Sequence, residues 1–492
     1  MDLKETPKEN YGMYDTDEDY HPMLIAGLPA HSDATIDVNN PFTGMLLGRV
    51  PQSRPEHARQ AFEAAARIRP RLTRRERTDI LLATASAIKR DQGRFARLIT
   101  AETGLCLKDS LHETARACDV WSFAAHMLIQ SDGEIYPSDI GATPHERRIF
   151  SMRTPLAGAI SAITPFNHPL NLVSHKLAPA IATNNRVVLK PSERAPLTAL
   201  ALGRILYEQG LPEGMLSILT GAPVPLGDAM FTDRSAELVT FTGSVHVGHH
   251  IAERAGYRKL ILELGGNDPI IVLEDADVDR AAYLAVQGAT KNSGQRCTAV
   301  KRALVVDSVA DEFAERALHH MLKLSIGDPS DPSVDIGTVI SREAAQLIAR
   351  RVADAVDAGA TLLLGNQPHG ASYPPALLDH VSPTSELVIE ETFGPVLPII
   401  RCPNDVDQII SMANATQFGL SAGVCSNRLD YVTKLIDGLA VGTVNVWEVP
   451  GYRTELTPFG GIKQSGLGHK EGVLEAMRSF TQLKTYSLPW SV

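Results

Sequence analysis

Cys297 lies in a stretch of sequence whose residue types suit covalent chemistry. It occupies the run SGQRCTA, among small and polar residues, with Arg296 directly before it and Lys291 six positions earlier. A thiol with an ordinary pKa of about 8.5 is only a few per cent thiolate at neutral pH, and nearby cations increase that fraction. The pattern indicates a nucleophile, with a small packed core residue as the alternative.

Glu263 ends a strand-like run, KLILELGGNDP, in which Gly265 and Gly266 follow closely. Burying a carboxylate at the end of a strand costs free energy, so such a residue is usually paired or has a functional role. Because partial burial moves the pKa of a glutamate towards neutrality, this position suits a general base. The alternative is a glutamate held in an ion pair at a hinge between domains.

Asn167 follows a predicted strand in the run ITPFNHPLNLV. Its side-chain amide could donate a hydrogen bond to a developing oxyanion. Asparagines close to prolines are usually turn formers, so this interpretation depends on the other two residues.

Two further segments have features of a cofactor site. In VVLKPSE a strand delivers Lys190 and Glu193 at its carboxyl end, where α/β sheets place their ligands. In LVTFTGSVHVGHHI a strand runs into Gly243 and Ser244, and Gly248 then opens a helix, an arrangement that suits a phosphate near a helix N-terminus. The segment does not contain the GxGxxG pattern.

The elements that must position these residues alternate between amphipathic helices and short apolar runs. Helical periodicity predicts helices over 55–69, 76–102, 309–324, 342–358 and 429–437. Runs rich in Val and Ile predict strands over 157–163, 186–189, 237–241, 260–263, 269–273, 303–306, 361–364 and 442–446. This alternation indicates an α/β fold with parallel strands buried on both faces. The segment from Gly265 to Pro269 is a plausible junction between domains.

Bulk composition limits the classes of function. The 492 residues correspond to about three domain-sized units of ~150 residues. A net charge of −10 speaks against a nucleic-acid partner, which would need a broad basic surface. The acidic N-terminus is not a signal peptide, and no run of 18 apolar residues predicts a membrane span.

Cysteine and histidine usage points to a reducing compartment and to no metal centre. The five cysteines are odd in number, scattered, and form no CxxC pair, so a disulfide framework or thiolate zinc site is not expected. No HExxH or comparable histidine spacing occurs. A cytoplasmic protein is therefore expected.

Seven motifs together carry a family likeness. FNHPLN, KPSE, FTGS, ELGGNDP, GQRC, EETFGPV and PFGGIKQSG occur in the order and approximate spacing of the aldehyde dehydrogenase superfamily. Cys297 and Glu263 are 34 positions apart, as that family has them. The chain resembles the family from roughly residue 25 to its end.

The resemblance implies a role for each candidate catalytic residue. Cys297 would attack an aldehyde to give a thiohemiacetal, whose oxyanion Asn167 and the Cys297 backbone N–H would hold. Hydride transfer to a nicotinamide would leave a thioester, and Glu263 would activate the water that hydrolyses it. A CoA-acylating relative is disfavoured because such enzymes typically lack the general-base glutamate. A non-catalytic scaffold would be expected to have lost at least one of the three residues.

The resemblance also implies an NAD site. Lys190 and Glu193 would contact the adenosine ribose, Gly243 and Ser244 the pyrophosphate, and Glu391, with Phe393 beside it, the nicotinamide ribose. The expected cofactor-binding set is Thr164, Lys190, Ser192, Glu193, Gly243, Ser244, Glu391 and Phe393. The Glu193 carboxylate would repel a 2′-phosphate and so favours NAD over NADP, a preference that Lys190 could soften.

The implied architecture is an aldehyde dehydrogenase-like α/β fold. An acidic tail (1–20) would precede a Rossmann-like NAD-binding domain (21–137 and 158–265) and an α/β catalytic domain (266–465). A small oligomerisation β-hairpin (138–157 and 466–492) would assemble the chain into a homodimer or homotetramer.

Cations at the positions that line the family's substrate tunnel indicate an anionic aldehyde. The expected substrate-binding residues are Arg116, His168, Lys291, Arg296 and Arg453. An unpaired cationic cluster in a concave site is costly, so an anionic ligand is the natural explanation. The alternative is internal ion pairing with Glu113 or Glu455. A phosphonate, phosphate or sulfonate suits several donors that converge from different elements.

Finer similarity favours one substrate. The runs TPFNHPLN, GATKNSGQRCTAVKR, VNVWEVPGYR and SFTQLKTYSLPW resemble members of the family that oxidise phosphonoacetaldehyde to phosphonoacetate. Members that act on lactaldehyde, sulfolactaldehyde or glyceraldehyde 3-phosphate share some of these runs. These substrates, and succinic semialdehyde, are the alternatives.

Overall fold

The computed structural model describes residues 19–130, 133–140 and 147–490. Nearly all of the expected acidic tail, and part of the expected oligomerisation hairpin, therefore lie outside the described residues. Within the described part, no helix is both long and apolar enough to cross a membrane.

The strands, in chain order, are β1 (Met23–Ile25), β2 (Leu28–Ala30), β3 (Thr35–Asn39), β4 (Leu46–Pro51), β5 (Ile135–Tyr136), β6 (Arg147–Pro155), β7 (Ala159–Ile163), β8 (Val187–Lys190), β9 (Leu216–Ile218), β10 (Ala236–Thr242), β11 (Lys259–Glu263), β12 (Asp268–Val272), β13 (Val300–Val306), β14 (Thr361–Leu364), β15 (Ala376–Asp379), β16 (Val396–Cys402), β17 (Phe418–Gly419), β18 (Ser421–Cys425), β19 (Thr443–Val446), β20 (Ile462–Lys463) and β21 (Thr481–Pro489).

The α-helices are α1 (Pro55–Arg67), α2 (Arg74–Arg90), α3 (Gln92–Thr103), α4 (Leu107–Met127), α5 (Asn171–Ala182), α6 (Pro196–Glu208), α7 (Pro223–Leu226), α8 (Ala229–Thr232), α9 (Val245–Arg254), α10 (Val278–Thr290), α11 (Asp307–Met321), α12 (Arg342–Asp357), α13 (Glu386–Ile389), α14 (Val406–Asn414), α15 (Leu429–Gly438) and α16 (Val473–Ser479). A short 3₁₀ helix spans Lys291–Gly294.

The first large sheet has the strand order β11-β10-β7-β8-β9-β1-β2. Its first five strands are parallel, and β1 and β2 complete it in antiparallel pairing. Both faces are buried, because Val187 and Leu189 of β8 enter one apolar core while Val188 enters the core on the opposite face. Parallel strands covered on both sides read as continuous apolar runs, as the sequence predicted.

The second large sheet has the order β14-β15-β16-β13-β12-β18-β19. Ile271 and Leu304 face one core, while Ile270 and Ala303 face the other. The prediction of a buried parallel strand over 361–364 is wrong in two respects: β14 is antiparallel to β15, and its residues are partly exposed. An edge strand is covered less completely, and a short apolar run does not reveal its direction.

Two other features differ from or extend the sequence prediction. The helix predicted over 76–102 is two helices, since Asp91, at φ −100° and ψ 19°, ends α2 and begins α3. The nine residues of β21 pair with β6 in antiparallel register, from Thr481 opposite Pro155 to Pro489 opposite Arg147. With β5 they form a third, mostly exposed sheet.

Candidate active site

Glu263 lies where the two large sheets meet. It is the last residue of β11, and the chain passes through Gly265 and Gly266 directly into β12 of the second sheet. The backbone N–H of Leu264 donates to the Ser465 carbonyl at 2.9 Å, which fixes the chain as it leaves β11. The Glu263 side chain is therefore buried at the boundary between the sheets.

A strained turn delivers Cys297 to the same place. Asn292, Ser293 and Gly294 all have positive φ, at 58°, 51° and 68°. The left-handed conformation costs roughly 1–2 kcal/mol for a residue with a side chain, so the surroundings must hold it. The Asp109 carboxylate does so by accepting the Asn292 backbone N–H at 2.7 Å.

Gly265 and Gly266 allow close approach of the groups around Cys297. A Cβ on Gly266 would lie 2.2 Å from the Cys297 carbonyl oxygen, and one on Gly265 would lie 2.4 Å from Oε2 of Glu391. A side chain at Gly266 would displace backbone, whereas one at Gly265 would displace the Glu391 carboxylate. The Gly266 N–H in turn donates to Oε1 of Glu391 at 3.1 Å.

These elements enclose a cavity of about 290 Å³. Of the sequence-predicted site residues, its lining contains Arg116, Asn167, His168, Gly243, Ser244, Glu263, Arg296, Cys297, Glu391, Phe393 and Arg453. The remaining five, Thr164, Lys190, Ser192, Glu193 and Lys291, are not part of this lining. Lys291 opens the 3₁₀ helix, and the other four lie at or after the carboxyl ends of β7 and β8.

Asn167 is hydrogen-bonded to the loop that carries Cys297. Its Nδ2 donates to the Gln295 carbonyl at 2.9 Å, and Asn292 Nδ2 donates to the Asn167 carbonyl at 3.4 Å. The side chain is 6% exposed, so the amide is held in one place beside Cys297. Asn167 is more than a turn former in this structure, because its amide bridges to another loop.

The electrostatics of Cys297 differ from the sequence argument. Burial raises the pKa of the thiol to about 12, and the carboxylates of Glu391 and Asp268 add to the effect, while Arg453 opposes it. The sequence predicts that Arg296 and Lys291 increase the thiolate fraction, but the leading charges acting on Cys297 are those of Glu391, Asp268 and Arg453. Desolvation and carboxylates from neighbouring loops outweigh the two cations, and neither effect is visible in the local run SGQRCTA.

Glu263 has the electrostatic character expected of a buried base. Burial raises its pKa well above the ordinary value, and the nearby Glu471 carboxylate adds to the shift. Lys176 and Arg453 oppose it. Neither carboxylate oxygen of Glu263 has a hydrogen-bond partner among the described residues.

The expectation of unpaired cations is wrong in part, because three of the five groups have carboxylate neighbours. Arg116 Nε donates to Oε1 of Glu455 at 2.5 Å, so one of the anticipated ion pairs is present. Arg453 Nη2 lies 3.3 Å from Oε1 of Glu471. The sequence could not show these pairs, since their partners are brought together only by the fold.

His168 contributes as a neutral group. Its Nδ1 lies 3.4 Å from Oε2 of Glu113, whose other oxygen accepts the N–H groups of Leu170 and Asn171 at the start of α5. Burial lowers the pKa of His168 below its ordinary value of 6.5. At neutral pH this imidazole is therefore a hydrogen-bonding group and not the cation anticipated from sequence.

Uncommitted donors nevertheless remain at the cavity. Arg296 Nε and Arg453 Nη1 are buried without a hydrogen-bond partner among the described residues. Arg116 also lines the cavity, and its contact with Glu455 uses Nε and neither of the two terminal nitrogens of its guanidinium. Buried donors of this kind cost about 1–3 kcal/mol each when nothing accepts from them.

Sequence reasoning missed a buried charged network behind the cavity. Lys176 Nζ lies 3.2 Å from Oε2 of Glu471, and His175 Nε2 lies 2.5 Å from Oε2 of Glu455. Both basic residues belong to α5, every residue of which is buried. The adjacent His and Lys inside an apolar helical segment were the available signal.

Comparison with known proteins identifies the family. The sequence pattern described as the aldehyde dehydrogenase family matches residues 28–486. The chain belongs to the aldehyde dehydrogenase family. It is 36% identical over 457 residues to the lactaldehyde dehydrogenase of Methanocaldococcus jannaschii, a match that covers 92% of this chain and 96% of that protein.

Other members of the aldehyde dehydrogenase family are similarly close. The sulfoacetaldehyde dehydrogenase of Neptuniibacter caesariensis is 36% identical over 454 residues, covering 92% of this chain and 99% of that protein. The crystal structure of glyceraldehyde-3-phosphate dehydrogenase GapN from Methanocaldococcus jannaschii, complexed with NADP, superposes with a TM-score of 0.88. It is 35% identical and covers 93% of this chain and 100% of that one.

Aldehyde dehydrogenases use a nicotinamide cofactor, and the strand ends of the first sheet fit one. The hydroxyls of Thr164 and Thr242, at the ends of the neighbouring strands β7 and β10, are buried and have no hydrogen-bond partner in the part of the chain that the structure describes. Lys190 ends β8, is 5% exposed, and lies 3.4 Å from Oε2 of Glu193. Ser244 caps α9 by accepting the Val247 N–H. Buried hydroxyls that lack partners and an ammonium at one sheet edge suit a polar, phosphate-containing ligand.

Proposed function

We propose that this aldehyde dehydrogenase oxidises a small anionic aldehyde to its carboxylate with NAD, and that the aldehyde is phosphonoacetaldehyde. The observation that carries the proposal is the set of uncommitted donors on Arg116, Arg296 and Arg453 around Cys297. Each buried donor lacks an acceptor that a substrate oxygen would supply.

The placement of these donors favours a group with three oxygens. Arg116 comes from α4, Arg296 from the nucleophile's loop, and Arg453 from the segment after β19. A carboxylate is satisfied by one bidentate arginine, whereas a phosphonate or sulfonate can accept from three directions. Two charge-assisted contacts of ~1.5–3 kcal/mol each would favour the anion over a neutral analogue by ~10²–10⁴.

The second candidate is sulfoacetaldehyde. One relative with 36% identity is named for that substrate, and a sulfonate shares the three-oxygen geometry. A relative of equal identity is named for lactaldehyde, which carries no charge. Glyceraldehyde 3-phosphate, sulfolactaldehyde and succinic semialdehyde are further outcomes of the substrate test.

The chemistry begins at Cys297. Its sulfur adds to the aldehyde carbon, and the thiol proton is released to solvent as the C–S bond forms. Asn167 Nδ2, already fixed beside the loop, and the Cys297 backbone N–H donate to the resulting oxyanion. When bound, the nicotinamide ring supplies the acceptor for the hydride that leaves the substrate carbon. The product of this stage is a thioester on Cys297.

Glu263 completes the reaction. Its carboxylate takes a proton from water, which attacks the thioester carbonyl and releases the acid and the Cys297 thiol. Its burial among neighbouring charges supports this role, because a raised pKa makes it a stronger base. A CoA-acylating relative would not need this group. Formation of acyl-CoA in place of free acid when CoA is added would contradict the hydrolytic step.

We assign the cofactor to the first sheet. Thr164, Lys190, Ser192 and Glu193 would hold the adenosine end. Gly243 and Ser244 would hold the pyrophosphate, and Glu391 and Phe393 the nicotinamide side. The Glu193 carboxylate would repel a 2′-phosphate, which supports NAD, although a similar solved structure contains NADP.

We also propose that the segments 21–137 with 158–265 and 266–465 act as cofactor and catalytic domains in a cytoplasmic homodimer or homotetramer. The third sheet supports assembly because it exposes the large apolar side chains of Ile135, Met152, Leu483 and Leu488, and Trp490 is exposed directly after β21. Light scattering after size exclusion tests this proposal, and a monomer at micromolar concentration would contradict it.

The decisive variants separate substrate binding from chemistry. Arg116→Ala, Arg296→Ala and His168→Ala should raise KM for phosphonoacetaldehyde far more than for acetaldehyde, while Arg254→Ala, an exposed matched control, should change neither. Equal effects on both aldehydes would contradict anion binding. Cys297→Ala should abolish NADH production, and undiminished production would contradict the assignment of Cys297 as the nucleophile.

A further inference from the structure

Lys301 is a buried lysine whose ammonium contacts the loop before Cys297 and the loop that carries Glu391. It is the second residue of β13 and is 3% exposed. Its Nζ donates to the Gly294 carbonyl at 2.9 Å and to the Thr392 carbonyl at 2.7 Å. The same ammonium lies 5.1 Å from the centre of the Phe393 ring.

The two carbonyls belong to different loops of the cavity. Gly294 ends the 3₁₀ helix three residues before Cys297. Thr392 lies between Glu391 and Phe393, both of which line the cavity. One ammonium therefore ties the loop that carries Cys297 to the loop that carries Glu391.

The positive charge of Lys301 also acts on the carboxylates near Cys297. Burial raises the pKa of both Glu391 and Asp268, and Lys301 lowers the pKa of both. At Glu391, Lys301 is the group that opposes the effect of burial most strongly. Glu391 and Asp268 are the two charged groups that most disfavour ionisation of Cys297. The other charged groups acting on Cys297 or Lys301 are Glu263, Arg296 and Arg453. A positive charge at Lys301 therefore offsets the carboxylates that oppose a thiolate.

We propose that Lys301 is a positioning residue that holds the Cys297 loop against the Glu391 loop and stabilises the Cys297 thiolate by offsetting neighbouring carboxylate charge. The proposal rests on Cys297 being the nucleophile, as the proposed function has it. The Lys301 side chain would make two separate contributions: hydrogen bonds that join the two loops, and a positive charge. The hydrogen bonds alone would require only a donor of sufficient length.

The test compares Lys301→Gln with Lys301→Arg in the full-length chain. Glutamine keeps an N–H donor but loses the charge, whereas arginine keeps both. The rate of alkylation of Cys297 by iodoacetamide, followed by mass spectrometry across pH, reports thiolate formation without any turnover. Lys259→Met is the matched control, since Lys259 also joins two carbonyls, those of Ser479 and Thr481, but at the start of β11.

We expect Lys301→Gln to alkylate about tenfold more slowly at a fixed pH of about 7, which corresponds to a shift of about one pKa unit. Burial lowers the pKa of Lys301 to about 8, so its ammonium is still charged at that pH. Lys301→Arg should restore most of the rate, and Lys259→Met should match the unchanged chain. A Lys301→Gln profile that coincides with that of the unchanged chain would overturn the proposal, even if kcat fell. If alkylated Cys297 still supported NADH production, the nucleophile assignment itself would fail, which is a separate result.

Discussion

Arg116 and Glu455 form a 2.5 Å contact that uses only the Nε edge of the guanidinium. The other oxygen of Glu455 lies 2.5 Å from Nε2 of the buried His175. Burial tends to raise the pKa of Glu455, but His175 and Arg116 hold it well below its usual range. The carboxylate is therefore ionised and fixes Arg116 by its edge, so that its terminal nitrogens remain for a ligand.

Glu455→Gln should weaken substrate binding selectively. Without the carboxylate, Arg116 loses the partner that orients it, and the uncompensated positive charge is free to move. We expect kcat/KM for the anionic aldehyde to fall about tenfold, a loss equivalent to about 1.4 kcal/mol. The value for acetaldehyde should change less than about threefold. Steady-state kinetics with both aldehydes measures this, and Glu455→Asp should recover part of the loss. Equal losses for both substrates would mean that Glu455 only supports the fold.

Glu471→Gln should move the pH dependence of turnover to lower pH. Glu263 acts as a base only when ionised, and the Glu471 carboxylate raises its pKa. Removing that charge also leaves Lys176 and Arg453 facing Glu263, and both lower its pKa. The acid limb of kcat should therefore shift down by about one unit.

The pH profile of kcat for Glu471→Gln, read beside that of Glu475→Gln, checks the direction. Glu475 pairs with Arg478 on the exposed side of α16 and serves as the control. An acid limb that stays in place or moves to higher pH would contradict the coupling of Glu263 to Glu471.

The candidate catalytic residues could be picked out because each lies in a local sequence pattern. Glu263 ends β11, Asn167 follows β7, and Cys297 lies between the 3₁₀ helix and β13. The cavity lining contains all three. Their charges were not predictable. The high pKa of Cys297 arises first from burial and then from Glu391 and Asp268, which are distant in sequence and are brought near Cys297 only by the fold.

Gly266→Ala should disable the enzyme without unfolding it. The new methyl group would lie 2.2 Å from the Cys297 carbonyl oxygen and must displace the nucleophile's loop. A misplacement of about 1 Å can cost on the order of 10²-fold in rate, so we expect a loss of that size in kcat. Gly93→Ala in α3, where the nearest atom is 3.5 Å away, is the control and should be neutral. Full activity in Gly266→Ala would show that this close approach does not position Cys297.

Glu193→Ser should relax cofactor preference. Glu193 is about one-third exposed beside Lys190, so removing its carboxylate leaves the ammonium to attract a 2′-phosphate. We expect the ratio of kcat/KM for NAD to that for NADP to fall about tenfold, since one exposed charge contributes on the order of 1 kcal/mol. Initial rates with each cofactor at saturating aldehyde give the ratio. Thermal melts with each cofactor compare the strength of cofactor binding. An unchanged ratio would place the 2′-position away from Glu193.

The fold was largely readable from apolar runs, and its exceptions have physical causes. Strands buried on both faces, such as β8 and β12, appear as continuous Val and Ile runs. The edge strand β14 has the same local signal but pairs in the opposite direction. The ion pairs Arg116–Glu455 and Arg453–Glu471 join residues from separate segments, and spacing alone does not indicate such contacts.

Cys297 lies in a cavity with arginine donors that we propose bind an anionic substrate. The most direct measurement is NAD reduction with phosphonoacetaldehyde, sulfoacetaldehyde, succinic semialdehyde, glyceraldehyde 3-phosphate and acetaldehyde under identical conditions. We expect kcat/KM for phosphonoacetaldehyde to exceed that for acetaldehyde by a factor of ~10²–10⁴, the ratio expected from two charge-assisted contacts. A kcat/KM for acetaldehyde equal to or above that for every anionic aldehyde would contradict it.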